Sequence, residues 1–96
     1  MKKITTTIKK EYLDKILSGE KTIEYKGNTE FWSTRLDKLM LIQDKVIINF
    51  ICGRKSYKFE VWRIERQEDF NGFIINNKSY NSYFKIYLGN RITGEN

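Results

Sequence analysis

The chain has no histidine, no proline and a single cysteine in 96 residues. Without histidine there is no imidazole-based triad, no HExxH zinc site and no Cys2His2 finger. A lone thiol cannot form an intramolecular disulfide, so nothing staples the fold covalently, and the expected compartment is a reducing cytoplasm. That thiol, Cys52, ends the apolar run from Val46 to Cys52, where a buried structural role outweighs a nucleophilic one. No apolar run approaches a membrane span, and Met1-Lys2-Lys3 is followed by Ile4-Thr5-Thr6-Thr7-Ile8, so neither a signal peptide nor a membrane partner is expected. Repeats, low-complexity tracts and linkers are missing as well.

What is present suits one small globular domain over residues 1–96. A chain this short buries roughly 65% of the surface its unfolded form exposes, enough for one modest core. Six tyrosines, six phenylalanines and two tryptophans help fill it. Eighteen Lys and Arg against 12 Asp and Glu give a net charge of +6. That balance favours an anionic partner, nucleic acid above all, although solubility alone accounts for such a charge in many domains. The positive residues are scattered, so no basic disordered arm is expected.

Read in order, Lys3 to Ile8 is a β-branched first strand. Lys9 to Ser18 is a helix, with Tyr12, Leu13, Ile16 and Leu17 on one face and Gly19 placed to stop it. Glu20 to Lys26 alternates as a second strand. Ile23 and Tyr25 mark its core face, and Lys21 shares their parity; Glu20, Thr22, Glu24 and Lys26 take the other. An inward lysine needs a cleft or a route to the sheet rim, and the pattern leaves both open. Gly27-Asn28 marks a turn, and Thr29 caps a helix from about Glu30 to Met40. Trp32, Leu36, Leu39 and Met40 form its stripe, Arg35 and Lys38 lie away from it, and Phe31 is the exposed aromatic. Trp32 reads first as a core anchor and second as a base-stacking platform.

Gln43 to Lys45 reads as a turn and Val46 to Cys52 as the central strand. Gly53-Arg54-Lys55 is a tight connection into a long strand, Ser56 to Arg66. Gln67 to Asp69 is irregular, Phe70 to Ile75 a short strand, and Asn76 to Ser79 a loop. Tyr83 to Leu88 is the last strand, before a polar tail in which Arg91 and Ile92 can extend the sheet. Two early helices followed by strands predict an α+β fold: a small barrel or strongly curved mixed sheet of about five to six strands.

The run from Tyr12 to Lys26, the continuation Asn28-Thr29-Glu30-Phe31-Trp32 to Arg35-Leu36, and the ending Tyr83 to Gly89 are similar to the ASCH domain. This PUA-like β-barrel family includes small phage and bacterial members. The resemblance covers residues 8–36 most specifically and suits a whole minimal domain. It implies a PUA-like barrel with a cleft between the barrel and the early helices. It also implies a role linked to RNA binding or transcription coactivation. One branch hydrolyses N4-acetylcytidine with a Lys, a Thr and a Glu. The resemblance puts Lys21 at that lysine and Glu24 where the branch has its threonine, with Glu60, Glu65 and Glu68 as candidates for the downstream acid.

Three functions follow. The first is a module binding RNA, single-stranded nucleic acid or a modified nucleotide. Lys21, Lys26 and Arg35 would meet phosphate or a base edge, Glu24 an exocyclic amine, and Tyr25, Phe31 or Trp32 a base face. The second is an amidohydrolase acting on N4-acetylcytidine-type nucleosides through Lys21 and Glu24, with no cofactor or metal. The third is a small phage-type protein that inhibits a host protein.

Overall fold

The computed structural model describes residues 2–41 and 45–93. The elements run β1 (Lys2–Thr7), α1 (Lys10–Leu17), β2 (Ile23–Gly27), α2 (Glu30–Met40), β3 (Val46–Cys52), β4 (Lys55–Ile75) and β5 (Lys78–Ile92). The fold is α+β. Five strands form one mixed sheet in the order β1-β3-β4-β5-β2, with β1 parallel to β3 and the other neighbours antiparallel. The sheet is open, and β1 and β2 are its edges. No described helix is long and apolar enough to cross a membrane.

Local chemistry sets both helices. The apolar face of α1 buries Leu13 and Ile16, Glu11 and Lys15 sit at the ends that suit the helix dipole, and Gly19 follows the C-cap at φ +85°. Lys9 occupies the N-cap without a side-chain cap. Thr29 caps α2 as its sequence predicts, its hydroxyl accepting from the Trp32 N–H at 3.3 Å. Leu36 of α2 is fully buried, and Trp32 and Leu39 pack half-buried beside it, while Met40 stays exposed.

Both helices cover one face of the sheet. Ile16 and Leu36 meet Ile4, Ile48, Phe50, Phe59, Phe84 and Ile86 in a single core. β4, not β3, is the middle strand. It runs unbroken from Lys55 to Ile75, so the irregular stretch and the separate short strand read from the sequence are one element. Its irregularity survives as register shifts beside Phe59, Val61 and between Glu68 and Phe73, with Gly72 at φ +88°. The shift after Val61 moves the inward parity from Phe59 and Val61 to Ile64. Asn76 and Asn77, both at positive φ, make a two-residue hairpin turn, so β5 begins at Lys78 rather than Tyr83 and ends at Ile92. Cys52 is half-buried at the end of β3, more open than a core thiol. Of the turn expected at Gln43 to Lys45, Gln43 and Asp44 lie outside the described residues, as does the end of the polar tail from residue 94.

The largest departure is in β2. Glu24 pairs with Ile86 and Lys26 with Phe84, both core residues, so Glu24 and Lys26 face the core side. Ile23 and Tyr25 face the reverse side, opposite Tyr87 and Lys85. The alternation predicted the inverse. Cover for the reverse face comes from the outer part of the β4–β5 hairpin. Beyond Gly72, Phe73 stacks on Tyr83 at 4.1 Å and packs against Tyr25 at 5.1 Å. Lys21 precedes the strand, so strand parity does not govern its direction.

Candidate functional site: a cleft at the start of β2

The α1–β2 connection aims Lys21. After Gly19 the chain reverses, and the Lys21 N–H donates to the Lys15 carbonyl at 3.0 Å, which ties the connection back onto the helix. From there the Lys21 ammonium donates to the Glu24 carboxylate at 2.9 Å and lies over the Tyr12 ring, 5.1 Å from its centroid. Lys26 reaches the other Glu24 oxygen at 3.2 Å. The same ammonium donates to the Thr6 hydroxyl at 2.9 Å and lies 5.0 Å from the centre of the Trp32 ring. Glu24 is only 7% exposed. One buried carboxylate thus holds two lysines, and one of those lysines links edge strand β2 to edge strand β1.

Glu24 forms part of the wall of a cleft of about 530 Å³ that wraps the free edge of β2. Tyr12 and Lys15 of α1 form one side, and Phe73 and Ile74 of the β4 arm the other. Tyr25, Lys21 and Glu20 complete its rim. The lining therefore combines aromatic faces with two lysines and two carboxylates. As an edge strand, β2 also turns alternate backbone donors and acceptors outward.

The residues singled out in the sequence divide into two groups. Lys21, Glu24 and Tyr25 line this cleft. Trp32 and Arg35 line a second groove, between β1 and α2. Lys26 touches a residue of each, through Glu24 and Trp32. Phe31 is exposed and carries the Arg35 guanidinium 3.6 Å above its ring. The proximity of residues 21–35 in sequence does not make them one site.

Tyr12, Glu20 and Phe73 were not singled out for the cleft. Tyr12 falls on the apolar stripe of α1 and reads as core. Only the bend of the β4 arm delivers Phe73, and Gly72 just before it is the sole local sign. The downstream acids stand elsewhere. Glu60 lies 3.9 Å from Lys45, and Glu68 accepts from Ser82 at 2.9 Å. Glu65 pairs with Arg63 and accepts from the Tyr87 hydroxyl at 2.7 Å. That hydrogen bond holds the Glu65 carboxyl below the usual carboxylate range and pushes the Tyr87 phenol up. None of the three lines the cleft. Trp62 is 72% exposed, anchored through its indole N–H to the Leu88 carbonyl at 3.2 Å. Among the described residues, no group of three or more Cys, Asp or Glu is placed to hold a metal ion.

The chain matches no protein-family model, no curated protein sequence and no solved structure.

Proposed function

We propose that the protein is a PUA-like module of the ASCH type that binds an unstacked nucleobase, from RNA or from a free modified nucleotide, in the cleft at the start of β2. The observation that carries this reading is the buried Glu24 carboxylate, fixed by two lysines in the wall of an aromatic-lined cleft. A fixed carboxylate can accept from an exocyclic amine. Lys21 can donate to a carbonyl or phosphate, and Tyr12, Tyr25 and Phe73 offer faces on which a base can rest. The Lys26–Thr6 bridge between the edge strands supports the barrel-like reading, since side chains span a gap that backbone pairing leaves open.

Hydrolysis of N4-acetylcytidine is the second reading, favoured by Lys21 and Glu24 meeting at 2.9 Å within the cleft. Its weakness is the acid: of the other described carboxylates, only Glu20 joins Glu24 in the lining.

Calorimetric titration with cytidine, cytidine monophosphate and N4-acetylcytidine tests both. Losing a charged hydrogen bond costs about 1.5–3 kcal/mol, so Lys21→Ala should weaken binding about 10- to 150-fold. If wild-type protein takes up none of the three, the base-binding reading fails. Release of acetate from N4-acetylcytidine, abolished in Lys21→Ala, would move the assignment to the hydrolase.

A further inference from the structure

The second groove, between β1 and α2, encloses about 480 Å³ and has an uneven charge. Lys2 of β1, on the core-side parity of Ile4, and Lys3, on the opposite parity at the sheet edge, line one side, and Arg35 and Lys38 of α2 the other. No carboxylate lines it. The nearest acid of α2, Asp37, is engaged by Arg66 at 3.0 Å. None of the four cations has an acidic partner among the described residues, whereas Lys21 of the cleft and Lys26 beside it share Glu24. Helical spacing explains the α2 side: Trp32, Arg35 and Lys38 recur every three residues along one flank.

We infer that this groove is a phosphate-binding channel for the backbone of single-stranded nucleic acid, so that the ligand of the neighbouring cleft is a base within a strand. The choice of polyanion rests on reading that cleft as a base site. Cations on both walls, Arg35 held by the Phe31 carbonyl and ring and none of them facing a carboxylate in the lining, suit a linear polyanion lying between them. An anionic membrane surface is flat and would meet apolar residues projecting beside the charges. The apolar lining of the groove itself, Ile4 and Leu39, is buried or half-buried; of the exposed apolar residues on the α2 side, Phe31 is covered by the Arg35 guanidinium, and Met40 and Leu41 lie at the end of the helix. Lys26 connects the two sites, touching the cleft carboxylate on one side and the Trp32 ring of the groove on the other. A strand can therefore place one base in the cleft while its phosphates follow the groove.

The test uses the full chain and a fluorescein-labelled, mixed-sequence 12-nucleotide RNA, with anisotropy followed across a KCl series. Each phosphate contact on a single strand contributes about 0.7 to the salt slope, equivalent to about fivefold in affinity at 0.1 M salt. Lys3→Gln combined with Lys38→Gln should lower RNA affinity about 25-fold and flatten the slope by about 1.4. Lys2→Gln with Lys38→Gln should do the same, and a retained urea midpoint shows that either variant is folded. Arg54→Gln with Lys55→Gln removes equal charge at the β3–β4 turn, the opposite end of β3 from its pairing with Lys2, and should leave both readouts unchanged. Cytidine monophosphate binding to the Lys3/Lys38 variant should also be unchanged. An equal loss in the Arg54/Lys55 variant would overturn the channel in favour of net charge alone. So would wild-type RNA affinity in the groove variants, absence of RNA binding by wild type at low salt, or groove-dependent binding of anionic vesicles in place of RNA. Groove-dependent RNA binding without any uptake of cytidine nucleotides would uphold the channel and overturn the base site.

Discussion

Replacing Glu24 by Gln tests the centre of this structure most directly. Its carboxylate side chain is 9% exposed, and it holds Lys21 and Lys26, whose side chains are 22% and 14% exposed. The amide keeps the shape and removes the charge. Breaking a fully buried pair from one side costs about 3–5 kcal/mol, because the remaining charge is left uncompensated. Two features reduce that here. Lys21 reaches the cleft and can turn to water, and Lys26 keeps the Thr6 hydroxyl and the Trp32 face. The expected loss is therefore about 2–3 kcal/mol, mostly from Lys26. With an m-value of about 1.5 kcal/mol per M, the urea midpoint should fall by about 1.3–2 M. Tryptophan fluorescence reports it well, since Trp32 lies beside Lys26. Adding Lys26→Met should recover much of the loss, because the uncompensated cation is then gone. A loss below about 0.5 kcal/mol for Glu24→Gln would place the pair in the range of exposed ion pairs and refute the view that these charges are held out of water.

Other perturbations separate local from global contributions. Leu36→Ala removes a side chain with no exposed surface, and thermal or urea unfolding should show a loss of about 2–5 kcal/mol. Thr29→Ala deletes the only described side-chain cap of α2, and the same unfolding assays should show a loss of about 1 kcal/mol, with Thr29→Ser close to wild type. The Tyr87–Glu65 bond should give stability a dependence on pH at both ends. The Glu65 carboxyl is held below its usual 4.5, so its contribution is present above that value and disappears as pH falls through the lowered one. The Tyr87 phenol is raised above its usual 10.0, so its contribution is complete below that value and disappears as pH rises through the raised one. Melting temperature against pH should show both limbs shallower in Tyr87→Phe.

Elements with local causes were legible in the sequence. The cap at Thr29, the bounds of α2, the stop at Gly19 and the Val46–Cys52 strand each depend on a few neighbouring residues. Strand lengths in the β4–β5 hairpin were not legible. A bulge at Gly72 and a two-residue Asn-Asn turn carry pairing through polar sequence that reads as loop. The site was half legible. Charge density singled out a stretch of which Lys21, Glu24 and Tyr25 line one cleft. Trp32 and Arg35 do not join that cleft, because α2 places them beside β1 in a separate groove.

The β2 strand shows why alternation misled. A one-residue change of register exchanges every side chain between the two faces. On hydrophobicity alone, Ile23 and Tyr25 belong inward and Glu24 and Lys26 outward. Three non-local conditions favour the observed face. Phe73 and Tyr83 form an aromatic surface on the reverse side, so Tyr25 finds packing there. On the core side, Thr6, Trp32 and Lys21 give Glu24 and Lys26 partners that a bare core would lack. Gly27 lies against the Tyr80 ring, in space that a Cβ would have to take from that ring. Charge on the core face of β2 is thus tolerated because β2 is an edge strand beside an unclosed gap. Across that gap Lys26 touches a residue of each candidate site, Glu24 of the cleft and Trp32 of the groove. The side chains that settle the register of β2 are therefore the ones that divide the two candidate sites.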